Sequence, residues 1–260
     1  MSGVGQRERQ TQQQVLRFFR DELGYRYLGD WKHRDGNRNI EEDLVRDWLA
    51  RQGHEEPVIN RALRELDQAA AISGSKTLYD ANRAVYEKLR YGVHVKPSVQ
   101  EQTVTVWLID WANPDNNDFA VAEEVTVAGA NTKRPDVVLY VNGIALGILE
   151  LKRSTVAVAQ GIRQSLDNQK RDFIQPFFTT AQLVMAGNPT EGLRYGVIET
   201  PEKFWMEWEE QSPDWAPQTP VDPKHLAPWD AGTESKLESQ LGWMCSKARL
   251  LEFIHDFMVF

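Results

Sequence analysis

Apolar positions in the first ninety residues recur at helical spacing. "RERQTQQQVLRFFRDEL", residues 7–23, puts Val15, Phe19 and Leu23 on one face, and Glu8 and Gln12 extend that face backwards. Gly24 follows as a stop signal. A second helix, "IEEDLVRDWLARQ", starts after Asn39, a residue suited to an N-cap. A third, "PVINRALRELDQAAAI", carries Pro57 in its first turn. A fourth, "TLYDANRAVYEKLRYG", ends at Gly92.

The pattern then changes to β-branched and alternating. "QTVTVWLIDW" reads as a strand, "NPDNND" breaks it, and "FAVAEEVTVAG" reads as the next. "RPDVVLYVNGIALGILELKR" follows as two strands joined by Asn142-Gly143, the dipeptide that suits a tight two-residue turn. Then come a helix, "VAVAQGIRQSLDNQKRDFI", and two short strands, "AQLVMAG" and "LRYGVIE". This order predicts an α/β or α+β fold with a mixed sheet flanked by helices and a helical N-terminal region. After residue 200 the signal weakens. "PEKFWMEWEEQ" reads as a short helix, "SPDWAPQTPVDPKHLAPWD" holds five prolines, and "TESKLESQLGWMCSKARLLEFIHDF" is a last amphipathic helix. The expected organisation is one unit over 1–200, with its helical part over about 1–92. A Pro-rich linker spans 201–232 and a final helix 233–260. The closing apolar "MVF" suits either a chain that continues into a longer protein or a segment that docks on its own domain.

Composition narrows the class. With 41% apolar and 26% charged residues, the 260-residue chain can bury a core. A net charge of -8 argues against a simple non-specific DNA binder, so any nucleic-acid contact must come from a local patch or be shared with another chain. The single Cys245 excludes a disulfide framework and a cysteine zinc site. No apolar run approaches the ~20 residues of a membrane span, and the polar N-terminus is no signal peptide. The expectation is a soluble cytoplasmic protein.

Three residues do not suit a buried hairpin: Asp136, Glu150 and Lys152. Strand alternation puts Glu150 and Lys152 on one face, opposite Leu149 and Leu151. Asp136 lies six residues before Asn142 and Glu150 seven after Gly143, so a small offset makes them cross-strand neighbours. Two close carboxylates repel unless a cation joins them. Mg²⁺, which takes oxygen ligands and keeps several waters, suits such a pair. A lysine on the same face can steady an attacking water or a phosphate oxygen. The plainer alternative is solvated strand-end charges. On the next helix Gln169 falls on the apolar face of Ile162, Leu166 and Phe173. It either reaches a metal-bound water or substrate, or caps a neighbouring backbone group. Glu8 poses the same choice between a site acid and a residue placed for the helix dipole.

"RPDVVLYVNGIALGILELKR", followed by "IRQSLDNQKRDF" and "LVMAGN", resembles the nuclease domain of type I restriction-modification R subunits, within the PD-(D/E)XK superfamily. "ERQTQQQVLRFFRDELGYRYLGDW" and "NIEEDLVRDWL" resemble the start of the same subunit. The resemblance implies that Asp136 and Glu150 bind Mg²⁺, that Lys152 assists the attacking water, and that Gln169 belongs to the site. The family's Gln-x-x-x-Tyr element ends here on Phe173, without the tyrosine hydroxyl. Glu8 matches an acid of the first helix. R subunits carry an ATP-driven translocase, but no glycine here is followed by lysine, so a Walker A motif is missing and ATP binding is not expected of this chain.

The implied activity is DNA cleavage with little local sequence specificity, in partnership with methyltransferase and specificity subunits. The rivals are a catalytically silent docking module on the methyltransferase core and a PD-(D/E)XK repair nuclease. Lys133, Arg134, Arg153, Arg163, Lys170 and Arg171 are candidates for a phosphate-tracking patch, or for an ordinary solvated face. Trp31, Trp107 and Trp111 suit base stacking or packing at strand ends. Glu123 and Glu124 lie just before the hairpin and suit the surface better than the site.

Overall fold

The computed structural model describes residues 3–96, 102–208 and 235–258, with side chains from residue 9 onward. Helix α1 (Gly3–Arg17) runs into a π-helical turn, Phe18–Glu22, and stops at Gly24 with φ +66°. Strand β1 (Arg26–Asp30) leads to helices α2 (Glu42–Arg51), α3 (Glu56–Ala70) and α4 (Leu78–Tyr91). Helix α3 takes Pro57 in its first turn, as expected. Thr77 and Asp80 form a reciprocal capping box at the start of α4, and Gly92 ends it at φ 75°.

Asn39 does not cap α2. Its amide donates to the Pro176 carbonyl (3.1 Å) and the Thr179 hydroxyl (2.9 Å), and α2 begins after Glu41. The reason is tertiary. Residues 39–41 run beside the hairpin turn, where Ile40 bridges Ile144 and the Glu41 amide donates to the Gly143 carbonyl.

The strand expected over 102–111 is shorter. β2 (Val93–Val95) and β3 (Val104–Val106) form a separate antiparallel ribbon. The chain after it is organised by side chains: Asn117 accepts from the Asp110 amide and donates to the Asp110 carbonyl, each at 2.8 Å.

The main sheet adds β4 (Phe119–Glu123), β5 (Val137–Val141), β6 (Ile144–Leu151), β7 (Leu183–Asn188), β8 (Gly192–Gly196) and β9 (Met206–Glu207). Its seven strands lie in the order β1-β4-β5-β6-β7-β8-β9. β1 with β4 and β6 with β7 are parallel, and the remaining pairs antiparallel. This is the mixed α/β arrangement with flanking helices that the pattern predicts, and it agrees with a PD-(D/E)XK-like fold. Edge strand β1 escapes a periodicity reading because its residues are half-buried to exposed without alternation, and its pairing is interrupted at Gly29. The expected helix over 201–211 is a single 3₁₀ turn, Glu202–Phe204. It is followed by β9, so the start of the proposed linker still belongs to the sheet. The Pro-rich run itself lies outside the described residues.

Two apolar layers cover the sheet. On one face Val137, Leu139, Leu149 and Leu151 pack with Phe19, Trp48 and other residues of the N-terminal helices. On the other, Val138, Tyr140 and Ile148 meet helix α5 (Val158–Asn168) through Val158 and Ile162. The final helix divides at Ser246 into α6 (Lys236–Cys245) and α7 (Lys247–Phe257). The break resets the apolar stripe, so that Leu237, Leu241, Met244, Leu250, Leu251 and Ile254 all enter the core. Phe257 remains 65% exposed, and Val259 and Phe260 lie outside the described residues.

Candidate active site

The hairpin turn fixes everything that follows. Asn142 (φ 52°) and Gly143 (φ 84°) both occupy the left-handed region, as a type I′ turn requires. Asn142 is buried, donates to the Leu108 carbonyl (2.9 Å) and to Asn117 (2.8 Å), and accepts from the Asp118 amide (2.7 Å). A Cβ at Gly143 would lie 2.7 Å from Leu44 and from the Val45 backbone, so only glycine lets α2 sit here.

Away from the turn, Val141 pairs with Ile144 and Tyr140 with Ala145. The register then shifts, and Leu139 pairs with Gly147 and Val137 with Leu149. Leu146 is the extra residue of a β-bulge. The bulge absorbs the six-against-seven mismatch counted from the turn. One step beyond Val137 and Leu149, Asp136 faces Glu150.

Asp136 is held from several sides. Its carbonyl accepts from the Glu124 amide (2.9 Å) and from Gln12 of α1 (3.2 Å). Its carboxylate Oδ2 accepts from the Leu151 amide at 2.7 Å. Glu150, on central strand β6, is fully buried beneath α5. Gly161 permits this approach: a Cβ there would lie 3.1 Å from Ala186 Cβ and 3.7 Å from Glu150 Cβ. Two amides of α5 grip the Glu150 carboxylate, Gln164 Nε2 on Oε2 (2.6 Å) and Asn168 Nδ2 on Oε1 (3.1 Å). Lys152 is buried, and its ammonium donates to the Leu151 carbonyl (3.0 Å) and to Gln164 Oε1 (2.8 Å).

Burial pushes the Glu150 carboxyl well above the usual range, and the neighbouring Asp136 carboxylate, within hydrogen-bonding reach, pushes it further, while the Lys152 charge opposes both. Among the described residues no three His, Cys, Asp or Glu side chains converge to hold a metal. An ion at this place would rest on the carboxylate pair, with water completing its shell. Mg²⁺ binds in that way, so the hard oxygen donors of Asp136 and Glu150 fit it.

The structure does not bring the Gln169 amide to this pair. Gln169 is buried, donates to the Ser165 carbonyl (3.1 Å) and accepts from the Glu199 amide (2.5 Å), tying the end of α5 to a residue with φ 57°. Phe173 carries the Lys133 ammonium 4.2 Å from its ring centroid. The Glu8 side chain lies outside the described residues, on α1 one turn before Gln12. Gln12 and the Tyr27 hydroxyl both donate to Glu123, on the sheet face opposite Glu150. Gln164 and Asn168 were missed because an apolar count along α5 passes over them. The signal was a stripe of small and polar residues, Gly161, Gln164, Ser165 and Asn168, at helical spacing.

The basic patch is largely paired. Arg134 meets Glu124 (2.5 Å), Arg163 meets Glu202 (2.8 Å) and Lys170 meets Asp167 (2.5 Å). Arg153 and Arg171 carry no ion pair among the described residues. Trp31 is buried with the Arg34 guanidinium 3.9 Å from its ring, Trp111 donates to the Leu89 carbonyl, and Trp107 is 48% exposed. A polar cavity of about 300 Å³, lined by Arg26, Asp47, Arg51 and Asp118 among others, contains none of the predicted site residues.

Residues 5–203 match the family described as type I restriction enzyme R protein N terminus. A relative from Methanocaldococcus jannaschii, named "Putative type I restriction enzyme MjaIXP endonuclease subunit", is 26% identical over 185 residues, covering 67% of this chain and 18% of that protein. The chain thus spans 18% of the length of the curated relative it matches. With the family match running over most of its length, the chain belongs to the family of N-terminal regions of type I restriction enzyme R proteins.

Proposed function

We propose that this chain is the endonuclease part of a type I restriction R subunit and hydrolyses DNA phosphodiester bonds with Mg²⁺. One observation carries the reading: a bulged hairpin sets Asp136 opposite the buried Glu150, with Lys152 two residues on, in a chain of this family. Asp136 and Glu150 would hold the ion. Bound there, Mg²⁺ polarises the phosphoryl group and lowers the pKa of a water. Lys152 supplies a compact positive charge to orient the attacking water and offset charge developing on phosphate oxygens. Nothing in this set of residues reads base edges, so the proposed cleavage is little dependent on local sequence, and target choice belongs to a specificity subunit. Double-stranded DNA and the methyltransferase and specificity subunits are the proposed partners, in the cytoplasm. No helix among the described residues is long and apolar enough to cross a membrane. The Gln169 amide, engaged as it is, would act by fixing the end of α5, and Glu8 remains a proposed further acid of the site.

The test is plasmid nicking. The wild-type chain should convert supercoiled plasmid to nicked and linear forms in Mg²⁺ and not in EDTA, and Asp136→Ala should abolish this while leaving the fold intact. Equal nicking by Asp136→Ala would refute the assignment.

A further inference from the structure

Gln164 stands between the two charged groups of the site. Glu150 and Lys152 share a strand face two residues apart, about 6.6 Å along the backbone, a gap that a lysine side chain readily bridges by folding back. A direct ion pair is the expected outcome for two opposite charges so placed and so buried. The structure shows another arrangement. The Lys152 ammonium donates to Gln164 Oε1 at 2.8 Å, and Gln164 Nε2 donates to Glu150 Oε2 at 2.6 Å. The amide is oriented by its neighbours, since its oxygen can only face the cation and its nitrogen only the anion. Asn168, one turn further along α5, holds the other oxygen of Glu150 at 3.1 Å, so the carboxylate is fixed independently of Gln164.

We infer that Gln164 is a positioning residue, a neutral spacer that keeps the Lys152 ammonium off the Glu150 carboxylate. The inference rests on the metal-site reading above. With a direct ion pair, the lysine would be the counter-ion of Glu150. A divalent cation would have to displace it, and the ammonium would be turned from the substrate. With the amide interposed, the carboxylate keeps its charge for the cation and the ammonium keeps its place on the same face. Both partners are satisfied by hydrogen bonds to a group that carries no charge. Gly161 is what brings this amide close enough, because it lets α5 approach Lys152 and Glu150.

The consequence has a sign that simple loosening of the site does not share. In Gln164→Ala the ammonium should collapse onto Glu150, and divalent affinity should fall about tenfold, the lower end of what loss of an outer-shell partner costs. Removing the competing cation should reverse this. In Gln164→Ala/Lys152→Met the affinity should return to at least the wild-type level, whereas a purely structural role for Gln164 would leave the double variant as weak as the single one or weaker.

Two measurements on the whole chain test it. Crystal structures of the wild type and Gln164→Ala in EDTA should show Lys152 Nζ moving into direct contact with the Glu150 carboxylate in the variant. An ammonium that stays off the carboxylate overturns the spacer role whether or not the protein binds metal. Mn²⁺ titration by calorimetry of the wild type, both single variants and the double variant should show the loss and its rescue. An undiminished affinity in Gln164→Ala, or no rescue, also overturns it. A wild type that binds no Mn²⁺ refutes the metal-site reading instead, and the structures still decide the position of the ammonium.

Discussion

Lys152 separates cutting from folding. Its ammonium is buried and hydrogen-bonded, yet it holds neither carboxylate directly. Lys152→Ala should therefore leave DNA binding and divalent binding intact and lower single-turnover cleavage about 10²–10³-fold, the scale of losing one transition-state contact. Lys152→Arg should not restore the rate, because a planar guanidinium does not replace a compact point charge. Wild-type cleavage by Lys152→Ala would make it a strand-end residue and nothing more. Glu150 makes a second prediction, read from stability in EDTA. Its folded carboxyl titrates above its unfolded range. Between those two values the folded chain keeps a proton that the unfolded chain has lost, so stability falls as pH rises through that window. Glu150→Gln removes the proton linkage. Denaturant melts should show the variant gaining on the wild type from acid towards neutral and alkaline pH, each kcal/mol being worth about 2–4 °C in a domain of this size. A difference independent of pH would show that Glu150 is not an acid strained by burial and by Asp136.

At the scale of elements, the site depends on the fit of one helix to one strand. Helix α5 reaches Glu150 because position 161 lacks a side chain, with Ala186 Cβ only 3.1 Å from where a Cβ would stand. Gly161→Val overfills this contact and should cost about 1–3 kcal/mol of stability. It should also displace Gln164 and Asn168 from the carboxylate, so cleavage should fall more than stability alone explains when both are measured at a temperature where the variant is folded. A variant that is destabilised but cuts at the wild-type rate would show that the two amides of α5 are incidental to the site. The hairpin behaves differently. The Asn142-Gly143 turn, the bulge at Leu146 and the Leu151 amide together fix Asp136 opposite Glu150, and each of these is backbone geometry.

Across the whole molecule, the sequence was most informative where a residue type has a single structural use. Asn142-Gly143 named its turn, Thr77 and Asp80 their cap, and the acids of the hairpin their neighbourhood. It was silent where tertiary contacts decide. Asn39 is drawn from its helix to Pro176 and Thr179, edge strand β1 has no alternation, and the last helix breaks at Ser246 to bring two apolar stripes into phase. The site followed the same division. Asp136, Glu150 and Lys152 were legible because charge on a buried hairpin stands out. Gln164 and Asn168 were not, because an amide on a helix face looks the same whether it meets solvent or a buried carboxylate. Gln169 stood out on an apolar face, and its amide serves the backbone of Ser165 and Glu199. Everything proposed for the chemistry rests on one place, the space between Asp136 and Glu150. The most direct measurement is an anomalous difference map from a crystal soaked in Mn²⁺. The account predicts an ion peak bonded to carboxylate oxygens of both residues, at the roughly 2 Å distances of hard divalent ions such as Mg²⁺, and its disappearance in Asp136→Ala. An ion bound elsewhere, or none at this pair in a crystal that otherwise tolerates the soak, would contradict it.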